Sequence, residues 1–124
     1  MKKILLSFLL LVSSLSAIEW MEYEKALTQA KKENKIVMVM LGRDSCGVCS
    51  YMKTVVFHNK NVIKKLDSKF IGVYIELDFD DLPEGMNFIG TPTFYFVDNN
   101  GKTLLRFDGG KTVPSFIKAL NEIN

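Results

Sequence analysis

Cysteine is nearly missing from this 124-residue sequence, which has two, at positions 46 and 49. A small scaffold stapled by several disulfides is therefore excluded. Histidine is scarcer: His58 is alone, in a polar stretch with Asn59 and Lys60. One histidine so placed supports neither a histidine-built metal site nor a catalytic triad, and it reads as a surface residue. No apolar run reaches the roughly 20 residues that a membrane-spanning helix needs, and the run at residues 4–12 is broken by Ser7. An excess of one charge is missing as well. Of 16 basic and 14 acidic residues, Lys2 and Lys3 account for the whole difference. The remaining chain has no net positive field to attract nucleic acid or an anionic membrane surface. There is no internal repeat and no low-complexity stretch.

What is present describes one globular domain, with 48% apolar and 24% charged residues. The N-terminus reads separately. Lys2 and Lys3 precede the apolar run, and Ser13, Ser14, Leu15, Ser16 and Ala17 follow it, which is the pattern of an export signal cut after Ser16 or Ala17. No cysteine follows to carry a lipid. Residues 1–17 are thus expected to be removed, leaving 18–124 as a single domain in the periplasm or otherwise outside the cytoplasm. Export puts the two cysteines where disulfides persist. A bridge between Cys46 and Cys49 would close almost no loop and remove almost no unfolded-state entropy. That spacing suits redox chemistry better than stability.

Periodicity sets the elements. Residues 20–35 read as a helix with Trp20, Tyr23, Ala26, Leu27 and Ala30 on its inner face. Residues 36–41 form an unbroken apolar run closed by Gly42, as in a strand buried on both faces. A second helix opens at Ser45-Cys46-Gly47-Val48-Cys49, with Ser45 as its expected N-cap, and runs through Met52 and Val56. Residues 61–66 add a helical turn or two, and 70–77 a second buried strand. Residues 78–90, with Pro83 and Gly85, form a connection with at most a short helix. Residues 93–98 form a third strand, and Asn99-Asn100-Gly101 turns it into an antiparallel partner over 102–107. After Gly109-Gly110, Thr112 caps a last helix with Pro114 in its first turn and Phe116, Ile117, Leu120 and Ile123 inward. The fold class is α/β: a small mixed sheet of about four strands flanked by helices.

The C-x-x-C pair falls between a buried strand and a helix start. Helix N-termini carry unpaired N–H groups and roughly +0.5 of an elementary charge, which favours an anion there. Cys46 gains thiolate character and is the nucleophile, and Cys49, one turn in, is the resolving thiol. This stretch, with Gly90-Thr91-Pro92-Thr93 and the hairpin Asp98-Asn99-Asn100-Gly101-Lys102, resembles the thioredoxin superfamily from about Trp20 to the C-terminus. It is most similar to small exported thioredoxin-like domains and to the C-terminal domain of the reductant transporter DsbD.

The resemblance implies a thioredoxin fold and a cis bond between Thr91 and Pro92. It also implies a substrate groove at Gly47, Val48, Thr91 and Pro92, where a peptide pairs as an added strand. It implies an enzyme that exchanges protein disulfides without a cofactor or metal, working as a monomer re-reduced by a membrane transporter. The departures are Met40 where the family usually has a buried Asp, Ser45 in place of Trp, and Val48 in place of Pro. Without that Asp, Glu76 or Asp44 is left to accept the Cys49 proton. Gly47 and Val48 offer the thiolate no side-chain donor, unlike the His of strongly oxidising relatives, so a reducing or isomerising bias is expected. Two other readings stay open. One is copper delivery by the cysteines with a methionine among Met38, Met40, Met52 and Met86, although methionines more often fill core gaps. The other is a redox-inactive adaptor.

Overall fold

Six of the seven residues of β1 (Ile36–Gly42) are buried, because this strand is paired on both edges and covered on both faces. In the computed structural model, which describes residues 18–123, the sheet has the order β2-β1-β3-β4. β2 (Phe70–Glu76) runs parallel to β1, while β3 (Thr93–Val97) and β4 (Thr103–Asp108) continue antiparallel. The parallel pair requires a crossover. It is supplied by α2 (Gly47–Thr54), a short 3-10 turn (Val56–His58) and α3 (Lys60–Lys69). α1 (Tyr23–Glu33) precedes the sheet and α4 (Val113–Asn121) closes the chain.

Strand alternation divides the core into two layers. Val37, Val39, Leu41, Ile71, Val73 and Ile75 face α1, where Ala26 and Ala30 allow a close approach. Met38, Met40, Phe94 and Phe96 face the other way, against α2, α3 and α4 with Phe57, Phe116 and Leu120. Edge-to-face rings such as Phe57–Phe116 and Phe94–Phe116 fill this second layer.

Four sequence expectations need correction. Trp20 lies outside α1, which starts at Tyr23 with Glu22 as N-cap. It makes a parallel bridge to Gly72 on the outer edge of β2, where the missing side chain of Gly72 leaves room for its indole. The Ser45 cap is replaced by Cys46, because α2 begins one residue later than that cap requires. α3 has ten residues rather than a turn or two, since the Asn59 carboxamide accepts from Asn61 and Val62 N–H and so caps it. α2 ends at Thr54, and Val56, expected within it, falls in the separate 3-10 turn. The connection after β2 contains turns and no helix, within the expectation of at most a short one. Thr112 caps α4 as expected, accepting from Ser115 N–H. The expected export signal at residues 1–17 lies outside the described residues. Among the described residues no helix is long and apolar enough to cross a membrane.

Candidate active site

The two cysteines form a disulfide, with Cα atoms 5.2 Å apart, at the point where β1 gives way to α2. Cys46 holds the N-cap position with extended backbone, and its sulfur accepts the Cys49 N–H at 3.1 Å. In the reduced protein the same N–H would face a thiolate, and a charge-assisted bond of that kind is stronger than a neutral one. The sulfurs differ in access. Cys46 is half-buried, whereas Cys49 is 1% exposed and packed beside Met52 and Met40.

Across from Cys46 lies the Thr91–Pro92 bond, which is cis. The Thr91 carbonyl oxygen is 3.5 Å from Cys46 Sγ. Neighbouring residues hold this loop in place. Gly109 N–H donates to the Pro92 carbonyl at 2.7 Å, and the buried Thr93 hydroxyl donates to the Gly90 carbonyl at 2.9 Å. Tyr95 fastens the preceding segment by accepting from Asn87 N–H and donating to its carbonyl. Gly47 and Val48 are exposed on the first turn of α2, and Ile89, 93% exposed, stands beside the loop. The four residues expected to line a groove thus lie around the Cys46 sulfur, with apolar side chains at the rim.

The two expected proton acceptors are placed differently. Glu76 ends β2 on the α2 side of the sheet, half-buried, opposite Gly42 in register. Its Oε2 accepts the Tyr74 hydroxyl at 3.0 Å, and its Oε1 is buried without a hydrogen-bond partner among the described residues. Asp44 is exposed in the turn before the pair. Arg43 forms an ion pair with Asp78 and lies over the Phe88 ring.

Tyr74 was not anticipated. It is two residues before Glu76 on the same strand, so period-two alternation puts both side chains on one face; that spacing is the signal that could have found it. Its ring lies beside Trp20, with Lys53 Nζ 3.3 Å from the ring centroid. Burial pushes its phenol well above the usual range. The hydrogen bond to Glu76 and the charges of Glu76, Asp44 and Asp80 push it further. His58 is exposed. Met38, Met40, Met52 and Met86 are all buried in core clusters, where methionines commonly fill gaps.

The thioredoxin-like domain family matches residues 23–124, nearly the whole described chain. The chain belongs to that family. Among curated relatives, a protein disulfide isomerase-like 2-2 of Oryza sativa subsp. japonica is 29% identical over 91 residues, covering 73% of this chain and 24% of that protein. The thiol:disulfide interchange protein DsbD of Pseudoalteromonas atlantica is 28% identical over 105 residues, covering 79% and 17%. The chain therefore spans less than a quarter of either relative. A solved thioredoxin from Thermus thermophilus superposes with a TM-score of 0.72 at 27% identity, covering 86% of this chain and 87% of that one. The oxidised C-terminal domain of Neisseria meningitidis DsbD superposes at 0.63 with 19% identity, covering 82% and 91%, a likeness of fold. Within this thioredoxin-like domain, Met40 fills the place where an acid was missed in the sequence, and it is completely buried.

Proposed function

We propose that this chain is an exported thiol–disulfide oxidoreductase that reduces or isomerises protein disulfides by cycling Cys46 and Cys49 between dithiol and disulfide. One observation carries the reading: the sulfur at the helix N-cap is accessible, and its partner one turn behind is sealed. The accessible thiolate attacks a substrate disulfide and forms a mixed disulfide. The substrate backbone lies along Thr91 and Pro92, flanked by Gly47 and Val48. Cys49 then attacks Cys46 Sγ, the substrate leaves as a thiol, and the protein is left oxidised. Glu76 is the better placed of the two acids to take the Cys49 proton, since Asp44 is exposed.

Oxidised protein must be reduced again, and a membrane reductant transporter fills that role in this reading. The match to a DsbD supports it. Export rests on the pattern of residues 1–17. The reducing bias rests on Gly47 and Val48, which give the thiolate no side-chain donor. Insulin disulfide reduction tests the activity: the native chain should be active and Cys46→Ser inactive. Cys49→Ala should accumulate mixed disulfides with its substrates. A Cys46–Cys49 potential near about −120 mV, that of a strong oxidant, would overturn the reducing assignment. Equal activity of Cys46→Ser and the native chain would leave an adaptor. Tight stoichiometric Cu(I) binding without insulin reduction would leave copper delivery.

A further inference from the structure

A glycine ends β1 at position 42, with its open side toward Cys49. A Cβ built there would lie 2.9 Å from Tyr74 Cε2, 3.0 Å from the Tyr74 hydroxyl oxygen and 3.2 Å from Cys49 Sγ. The hydroxyl and the buried sulfur therefore border the same small space, which the glycine leaves open. From its other side the hydroxyl donates to Glu76 Oε2 at 3.0 Å, and Glu76 Oε1 is buried with no partner among the described residues. The hydroxyl thus has its donor bond committed to a carboxylate, and its oxygen borders the space that also holds the sulfur. We infer that Tyr74 is a proton relay, passing the Cys49 proton to Glu76 when Cys49 resolves a mixed disulfide.

The inference rests on the exchange reading above and adds a residue to it. In the step, the Cys49 S–H proton moves to the Tyr74 oxygen, directly or through one water, as the Tyr74 proton moves to Glu76. The new thiolate forms a bond to Cys46 Sγ, and the bond from Cys46 to the substrate sulfur breaks. The electron pair leaves with the substrate thiolate, which takes a proton from solvent. The protein dithiol is oxidised by two electrons and the substrate disulfide is reduced. Charged groups around the relay enter its pH dependence: Lys53 over the ring from α2, Asp44 from the preceding turn, and Asp80, whose carboxylate accepts the Glu76 N–H at 2.8 Å.

The test is a single turnover of the reduced full chain with an aromatic disulfide whose thiolate fragments absorb visible light. The first fragment is released when Cys46 attacks, the second when Cys49 resolves. Tyr74→Phe keeps the ring and removes the relay oxygen. It should slow the second release about tenfold or more below about pH 7. The deficit should close at alkaline pH, where hydroxide takes the proton, and the first release should be unchanged. Glu76→Gln should behave likewise without touching the ring, and the double variant should be no slower than the slower single one. A second release equal to the native rate at every pH in both variants overturns the relay, and so does equal slowing of both releases. A native chain that releases neither fragment overturns the exchange reading itself.

Discussion

Cys46 and Cys49 are three residues apart, yet the walls around them have almost nothing in common. Around Cys46 are a glycine, an exposed valine, and a loop held by the Gly109 N–H and the Thr93 hydroxyl, whose Thr91 carbonyl faces the sulfur. This side is open, and the polar group that faces its sulfur from the loop is a main-chain carbonyl. Around Cys49 are a second glycine and the Tyr74 ring, whose hydroxyl bonds the Glu76 carboxylate and whose face carries the Lys53 ammonium. Here the polar groups are side chains, and the sulfur is sealed. Main-chain groups on the open side can meet any substrate backbone, whereas titratable side chains on the closed side can act on a proton. In the proposed exchange, this difference would give recognition to one wall and proton handling to the other.

The largest way to break this contrast is to fill the closed side. Gly42→Ala places a methyl among the Tyr74 ring, its hydroxyl and Cys49 Sγ, all within 3.2 Å. Overpacking of this kind typically costs about 1–3 kcal/mol. Urea unfolding followed by the fluorescence of Trp20, the single tryptophan, measures the loss. Retention of full stability would show that the wall around Cys49 yields freely. The same methyl separates Tyr74 from Cys49, so the resolving step should slow as well.

The open side should respond less to the same change. A Cβ on Gly110 would meet Val48 Cγ1 at 2.5 Å, with Met52 Sδ at an ordinary 3.5 Å. Val48 is 48% exposed and can turn its methyl outward. An off-rotamer side chain costs about 0.5–1.5 kcal/mol, which is the loss expected for Gly110→Ala. A loss as large as that of Gly42→Ala would remove the distinction between the walls.

The open wall was legible in the sequence, and the closed one only in part: Glu76 was expected as a proton acceptor, and Tyr74 was not. Cys46, Gly47, Val48, Thr91 and Pro92 are recognisable as local motifs, since a spacing or a dipeptide marks each. Tyr74 comes beside Cys49, bringing its partner Glu76 with it, only after β2 is laid beside β1 in the register Met40↔Tyr74 and Gly42↔Glu76. No single-chain pattern encodes that register. The same limit explains Trp20: its helical spacing with Tyr23 and Ala26 was real, but pairing with Gly72 across the sheet edge overrode it. α3 is longer than its sequence pattern suggests, because Lys64, Lys65 and Lys69 leave only a narrow apolar stripe of Val62, Ile63 and Leu66. The strands and α4 were easier, since their apolar faces are wide.

Gly47→Ala sharpens the comparison with the opposite sign. Nothing lies within 4 Å of a Cβ at this first residue of α2. Alanine would then reduce unfolded-state freedom without strain and stabilise the domain by about 0.4–1 kcal/mol. Chemical denaturation reads the gain, and a loss would mean that the groove floor is tighter than its geometry indicates.

The smallest effect isolates Tyr74 by pH. Burial, then the Glu76 hydrogen bond and nearby carboxylates, raise its pKa above the value near 10 that it has in an unfolded chain. Between those two values the folded protein holds a proton that the unfolded chain has released. This contribution to stability is complete below about pH 10 and is lost as pH rises through the folded value. Solvent reaches the half-buried side chain, so the effect should be well under about 1 kcal/mol. Unfolding free energies of the oxidised protein, whose cysteines do not titrate, should decline above about pH 10. Tyr74→Phe should make that decline shallower. It should not abolish it, because Tyr23 is also raised, by burial and then by Glu24. An identical alkaline slope in both proteins would mean that Tyr74 loses its proton as easily in the fold as outside it, and the wall around Cys49 would have no electrostatic character of its own.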